Sequence, residues 1–424
     1  MERKKIIQHN YFKLILIAAL IGAISCLLAF SLKHFTEYLE HSIFTAAAGI
    51  SNMLFIVLPT IGITAIYFLR KYLFQNRKNK GITEIYKTLD LRKEHLPFFK
   101  IPSHYLNGFL TVIFGGSTGV EVSTVVATAT IGNMGYKREF SAKIYKTELV
   151  CAGVTAGVAV LFASPLAGWL FAMEVIARKL NKSLAISCTA SAVVAAVFIY
   201  FFDHSSLLSF AIGEWHWQAL PFFILLGLLG GTLSVYFTLL VTRIKSLFAK
   251  IQNNFIRVNM GALVVGTMIM FYPALYGDSY HGLETILDAA VSEESISLML
   301  LLMLALLKPL AASLTLGAGG DGGVFAPGIV AGAFLGLLFS AVCNQYFGTH
   351  LVPLNFALVG AAATLSSAIF APLTALVLVC NLVPNGYQLL IPVTVGCFTS
   401  KFFSQKLLPY NAYTYDFYKM SKAG

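Results

Sequence analysis

The chain has 424 residues, 57% of them hydrophobic and 12% charged, with a formal net charge of +11 and a mean hydropathy of +0.76. That much apolar sequence excludes an ordinary soluble domain and points to helices in a bilayer. The excess of Lys and Arg invites a nucleic-acid reading, which its distribution excludes: the basic residues gather in particular connections while other connections are acidic.

About 20 apolar residues cross the hydrocarbon core. In chain order, stretches that long lie at 12–32, 52–70, 147–177, 183–202, 219–241, 258–276, 297–316, 323–345 and 353–383. Helix is the expected spanning element throughout, because these runs are continuous rather than alternating short strands. The basic start (Arg3, Lys4, Lys5) leads into an apolar stretch with no small-residue cleavage site, so it is expected to remain as a span. Basic connections follow at 71–100, 137–146, 178–182, 243–257 and from Lys401 onward. Acidic ones lie at 34–41, 203–216 and 277–294. This asymmetry places both termini in the cytoplasm by the positive-inside rule. The basic stretch 243–257 divides the chain into expected halves 1–242 and 258–424 of one membrane domain, with no cytoplasmic regulatory domain.

Two glycine-rich breaks interrupt the apolar sequence, one in each half. The first is Gly115-Gly116-Ser117-Thr118-Gly119-Val120-Glu121-Val122-Ser123. The second runs from Gly317 to Pro327 through Gly319-Gly320-Asp321-Gly322-Gly323-Val324-Phe325-Ala326. Gly119 and Gly323 stand 323 minus 119, or 204, residues apart. Paired breaks in two halves suggest broken helices that meet at a midplane ion site. A helix that begins at mid-depth aims free N–H groups and a partial positive charge at whatever precedes it, an anion site without a formal cation. Glycine ahead of the helix lets the backbone approach the ion. Glu121 puts a carboxylate at that depth, where a charge costs roughly 2.5–3.5 kcal/mol on insertion scales. A glutamate there competes with an anion when ionised and steps aside when protonated. The competing reading is helix packing through small residues, with Glu121 as an N-terminal cap.

Other chemistry finds little support. Six cysteines (Cys26, Cys151, Cys188, Cys343, Cys380, Cys397) are scattered through apolar stretches without CxxC spacing and read as small core residues. No HExxH, GxSxG or Walker-type loop is present. An enzyme is therefore not expected, and neither a metal nor a cofactor is.

At this point the motifs resemble those of one family. Gly115-Gly116-Ser117-Thr118-Gly119-Val120-Glu121 is similar to the GGSxGREGP signature of CLC chloride channels and transporters. Gly322-Gly323-Val324-Phe325-Ala326-Pro327 matches that family's GGxFxP motif. Asn79-Lys80-Gly81-Ile82-Thr83-Glu84 stands where the family has GSGIPE. The run from Pro165 to Val175 resembles its PLxGxLFxxEx helix, and Tyr413 sits where the family places its pore tyrosine. Order and spacing agree over nearly the whole chain.

The resemblance implies an all-α, CLC-type inverted repeat of tilted and broken transmembrane helices. It also implies a homodimer in a bilayer, each protomer with its own anion pathway and a voltage-gated or antiporter mode of action. Glu121 would be the gating glutamate. The amides of Val324 and Phe325 and the Tyr413 hydroxyl would coordinate chloride or another small anion, with Lys80, Gly81, Gly119 and Gly323 lining the site. A bacterial inner membrane is the expected location.

Three departures matter. Val120, Val122 and Ser123 replace the arginine, glycine and proline of GREGP, and a branched Val122 should stiffen the loop. Lys80 replaces the anion-coordinating serine; it would attract anions at the mouth, coordinate one directly, or stay solvated. The glutamate that receives cytoplasmic protons in coupled members is here Val175, with Glu174 one residue earlier and about 100° around a helix. Asp321 is expected as a helix cap. Val175 favours a channel-like or weakly proton-coupled pathway for chloride. Proton-coupled chloride or fluoride antiport is the alternative.

Overall fold

In the computed structural model the described residues are 2–77, 79–90, 95–139, 145–203, 208, 210, 212–292 and 296–423. Among them the chain forms seventeen α-helices and no strand. They are α1 (Glu2–Ile50), α2 (Leu54–Phe68), α3 (Ile82–Asp90), α4 (Lys100–Ile113), α5 (Glu121–Glu139) and α6 (Lys146–Leu161). Then come α7 (Pro165–Phe171), α8 (Lys182–Phe202), α9 (Leu220–Ala249), α10 (Asn254–Phe271), α11 (Tyr280–Val291) and α12 (Leu298–Ala318). The last are α13 (Phe325–Phe347), α14 (Pro353–Ile369), α15 (Pro372–Cys380), α16 (Leu390–Leu407) and α17 (Tyr415–Ala423). Among the described residues, seven helical stretches are long and apolar enough to cross a membrane.

The helices correct the sequence reading where the backbone breaks. The run 147–177 is two helices, because Ala163 turns left-handed (φ 47°) and Ser164 caps α7, accepting the Ala167 N–H ahead of Pro165. The run 353–383 breaks the same way, with Phe370 left-handed (φ 56°) and Pro372 opening α15. The acidic stretch 34–41 is no connection, since it lies inside α1. The basic stretch 243–257, expected as a linker, is mostly helix: its start belongs to α9 and its end to α10.

Two compact units emerge, and neither follows the expected halves. The first comprises Met1–Phe35, Lys78–Leu106 and Glu121–Ser206. Its centre is α5 against α6, so close that a Cβ on Gly153 would sit 2.2 Å from the Thr128 carbonyl oxygen. Small residues at such crossings let backbones touch where water gives no apolar driving force. The buried Lys33 ammonium meets Asp203 at 2.8 Å, tying α1 to the residue after α8. The second unit comprises Thr36–Arg77, Asn107–Val120 and Leu207–Gly424. There α13 packs on α14 through Gly332 and Gly360, again at backbone contact. A second cluster of Ile63, Ile244, Phe248, Val258, Ala262 and Ala318 joins α2, α9, α10 and α12. All six cysteines are buried as thiols.

Candidate functional site

Both glycine breaks, up to Val120 and Phe325, belong to the second unit, and there they are built alike. Each follows a helix that carries a threonine four residues ahead of a left-handed glycine: Thr111 before Gly115 (φ 81°) and Thr315 before Gly319 (φ 116°). Only glycine adopts that backbone without strain. The next amide turns back: Gly116 N–H donates to the Thr111 carbonyl at 2.7 Å, Gly320 N–H to the Thr315 carbonyl at 2.9 Å. The threonine hydroxyls then cross over. Thr315 Oγ1 accepts the Ser117 N–H at 3.1 Å, and Thr111 Oγ1 accepts the Asp321 N–H at 2.9 Å. An antiparallel bridge pairs Gly119 with Gly323. Each loop therefore supplies the polar partner that the other's buried backbone requires.

From the bridge each chain enters a helix two residues later. Val324 precedes α13 and its own side chain caps nothing, so the first turn of α13 begins with the backbone of Phe325 and Ala326, while Pro327 has no N–H to offer. Phe325 is buried, and the ring of the buried Tyr413 lies 6.3 Å from it, centroid to centroid. Asn411 holds that turn, its Oδ1 accepting the N–H groups of Tyr413 and Thr414. Within the second unit, Gly119 thus pairs with Gly323 just ahead of Val324 and Phe325, and Tyr413 lies beside Phe325. The Asp321 carboxylate lies 4.0 Å from Arg70 of the π-helical turn Leu69–Leu73.

Within the first unit, Glu121 is the first residue of α5 and only 4% exposed. Val122 follows inside the helix, with none of the positive φ that would have made its branched side chain costly. Gly81 is left-handed (φ 60°), and a Cβ there would press on the Val122 methyl at 3.3 Å. Lys80 is exposed; its ordered group is the backbone N–H, which donates to Glu84 Oε1 at 2.7 Å. Glu84 is held in turn by Lys100 at 2.7 Å, and Lys100 by Asn79 at 3.2 Å. Val175 is buried in the π-helical turn Ala172–Ala177, its carbonyl accepting the Tyr86 hydroxyl at 3.1 Å. Burial pushes that phenol up to about 12, so Tyr86 remains a donor at physiological pH. Arg178 covers its ring at 3.9 Å.

Sequence reasoning missed Arg70, Thr111, Thr315 and Lys308. A lysine in the middle of an apolar run was itself a signal for the last. The threonines had one too, since both stand four residues before the first glycine of a repeated loop. Nothing local marked Arg70, whose partner lies 251 positions away by sequence number (321 minus 70).

The sequence model described as voltage gated chloride channel matches residues 61–405. An H(+)/Cl(-) exchange transporter ClcA of Yersinia pestis bv. Antiqua (strain Angola) is 25% identical over 407 residues, covering 92% of this chain and 84% of that protein. One of Klebsiella pneumoniae (strain 342) is 26% identical over 424 residues, covering 95% and 88%. Among solved structures, a slow cyanobacterial Cl-/H+ antiporter superposes with a TM-score of 0.82 at 20% identity, over 96% of this chain and 97% of that one. A CLC-type fluoride/proton antiporter superposes with 0.80 at 22%, over 95% and 97%. With these matches and the paired glycine loops in place, the chain belongs to the voltage gated chloride channel (CLC) family of anion-transporting integral membrane proteins.

Proposed function

We propose that this protein exchanges chloride for protons, with Glu121 as the group that carries the proton and gates the anion. The observation that carries the reading is a buried carboxylate at the first turn of α5. An ionised Glu121 satisfies the helix N-terminus as an anion would, and a protonated one releases it. The names of the relatives support coupling over the channel-like pathway that Val175 suggested, because the two ClcA relatives and the two structural neighbours are described as exchangers or antiporters. Chloride is favoured over fluoride by the two sequence relatives. In this reading the Phe325 amide, the Val324 backbone and the Tyr413 hydroxyl bind the anion, while Gly119 and Gly323 let the backbone approach it. Lys80 raises the local anion concentration at the mouth. With Val175 offering no carboxylate, protons from the cytoplasmic side reach Glu121 through water rather than through a second side chain. The proposal extends to a homodimer in an inner membrane with both termini cytoplasmic.

Proteoliposomes loaded with chloride and monitored for internal pH test this. An outward chloride gradient is expected to drive protons inward against their own gradient. Chloride efflux with no linked proton movement would return the protein to the channel-like reading. Tyr413→Phe should weaken apparent chloride affinity by about tenfold, the worth of one hydrogen bond to a charged acceptor; an unchanged affinity would remove the hydroxyl from the site.

A further inference from the structure

Lys308 stands midway along α12 and is 0% exposed. Its Nζ lies within hydrogen-bond distance of three oxygens: Ser279 Oγ at 2.7 Å, Ser117 Oγ at 2.8 Å and the Gly277 carbonyl at 2.9 Å. Both serines have already spent their own hydrogens. Ser117 donates to the Leu275 carbonyl at 2.9 Å and Ser279 to the Tyr276 carbonyl at 3.1 Å. Three acceptors with no hydrogen of their own to offer require three N–H donors, and an amine supplies three only as the ammonium. The site is therefore built for a charged lysine in the middle of a membrane-length helix, a placement that proteins use functionally rather than for stability.

We propose that Lys308 is a positioning residue for anion transport: its ammonium bolts Ser117 of the first glycine loop to the Gly277–Ser279 turn and places a fixed positive charge beside that loop. Two carboxylates interact electrostatically with this charge, Glu40 of α1 and Asp278 of the turn. Both also line a cavity of about 430 Å³ beside the turn. Glu40 Oε1 accepts the Asp278 N–H at 3.2 Å, so the turn that receives Lys308 is fixed from the cavity side as well. The loop's other anchors are neutral: Thr315 on the Ser117 N–H, and the Tyr276 hydroxyl on the Ile113 carbonyl at 2.6 Å. Lys308 alone among the anchors named here brings charge to the segment that leads into Glu121. The inference rests on anion transport and is independent of whether protons are coupled to it.

The test is chloride efflux from proteoliposomes holding Lys308→Met, Ser117→Ala or both, with rate measured against chloride concentration and normalised to folded protein by gel filtration and thermal melting. Lys308→Met is expected to weaken apparent chloride affinity by about tenfold, Ser117→Ala by less, and the double variant no more than Lys308→Met alone, because the two act through one contact. A role confined to stability would lower the melting temperature and leave the chloride dependence of the folded fraction unchanged, which would overturn the proposal. If Lys308→Met does not fold, Ser117→Ala and Ser279→Ala each remove one acceptor; a wild-type chloride dependence in both would overturn it equally. Wild-type protein that moves chloride without protons would refute exchange and leave this inference standing.

Discussion

The two glycine loops share one backbone and differ in what they hold. Gly115–Val120 and Gly319–Val324 repeat the same left-handed glycine, the same returning amide, the same crossed threonine bond and the same bridge. They part at three positions, one of which sets Thr118 against Gly322. Where the first loop has Ser117 on the Lys308 ammonium, the second has Asp321 beside Arg70. Where the first leads to Glu121, the second leads to Phe325. The lesson is a division of labour on a duplicated frame. The second helix start is apolar, opening on Phe325; the first opens on a buried carboxylate, Glu121.

Five substitutions sharpen or break that contrast. Glu121→Gln has the largest expected effect: it leaves a polar first turn on α5 but no titrating group, so proton movement driven by chloride should drop at least tenfold (about 1.4 kcal/mol or more). Chloride efflux should also lose its pH dependence, read from the same vesicles. Next is Gly116→Ala, whose Cβ would lie 2.6 Å from the Thr111 carbonyl oxygen, a backbone atom that cannot swing away. It should lose about 1–3 kcal/mol of stability. Gly320→Ala should lose less, because its nearest neighbour is the Thr315 methyl at 2.8 Å. Equal melting losses would contradict that difference in clearance between the two frames.

Asp278→Asn is a smaller test of the turn behind the first loop. Burial pushes the Asp278 carboxyl up, against the pull of the Tyr280 N–H, Lys308 and His281. A carboxyl raised on folding binds its proton better folded than unfolded. Stability therefore falls as pH rises from about 4 through the raised value, and the loss is complete above it. Asparagine keeps the bond to the Tyr280 N–H and removes the titration. Melting at neutral pH should then rise by about 1–2 °C, with the gain vanishing in acid. A gain that persists unchanged at pH 4 would contradict the assignment. Lys80→Ser should do least. Lys80 is exposed, so apparent chloride affinity should change about twofold at low salt and not at all at high salt.

Much of this was legible in the sequence. Membrane helices follow from apolar runs, and the site from glycine spacing, because both are local patterns that one stretch of chain displays by itself. Glu121, Phe325 and Tyr413 came from motifs, and the rings of the last two lie 6.3 Å apart. What the pattern hid was tertiary. Hydropathy cannot see the breaks at Ala163 and Phe370, where one residue turns left-handed inside an unbroken apolar run. Capping, the role expected of Asp321, is a local rule, whereas Arg70 reaches its carboxylate from a distant helix. Lys308 stands in an apolar run, and only the fold shows three oxygens converging on it.

The central claim is that Glu121, and not the frame around it, links protons to the anion. Simultaneous recording of chloride efflux and internal pH in vesicles of wild-type protein and Glu121→Gln tests it directly. The account predicts uphill proton uptake in the wild type and chloride efflux without proton movement in the variant. Uphill proton uptake that survives in Glu121→Gln would contradict it.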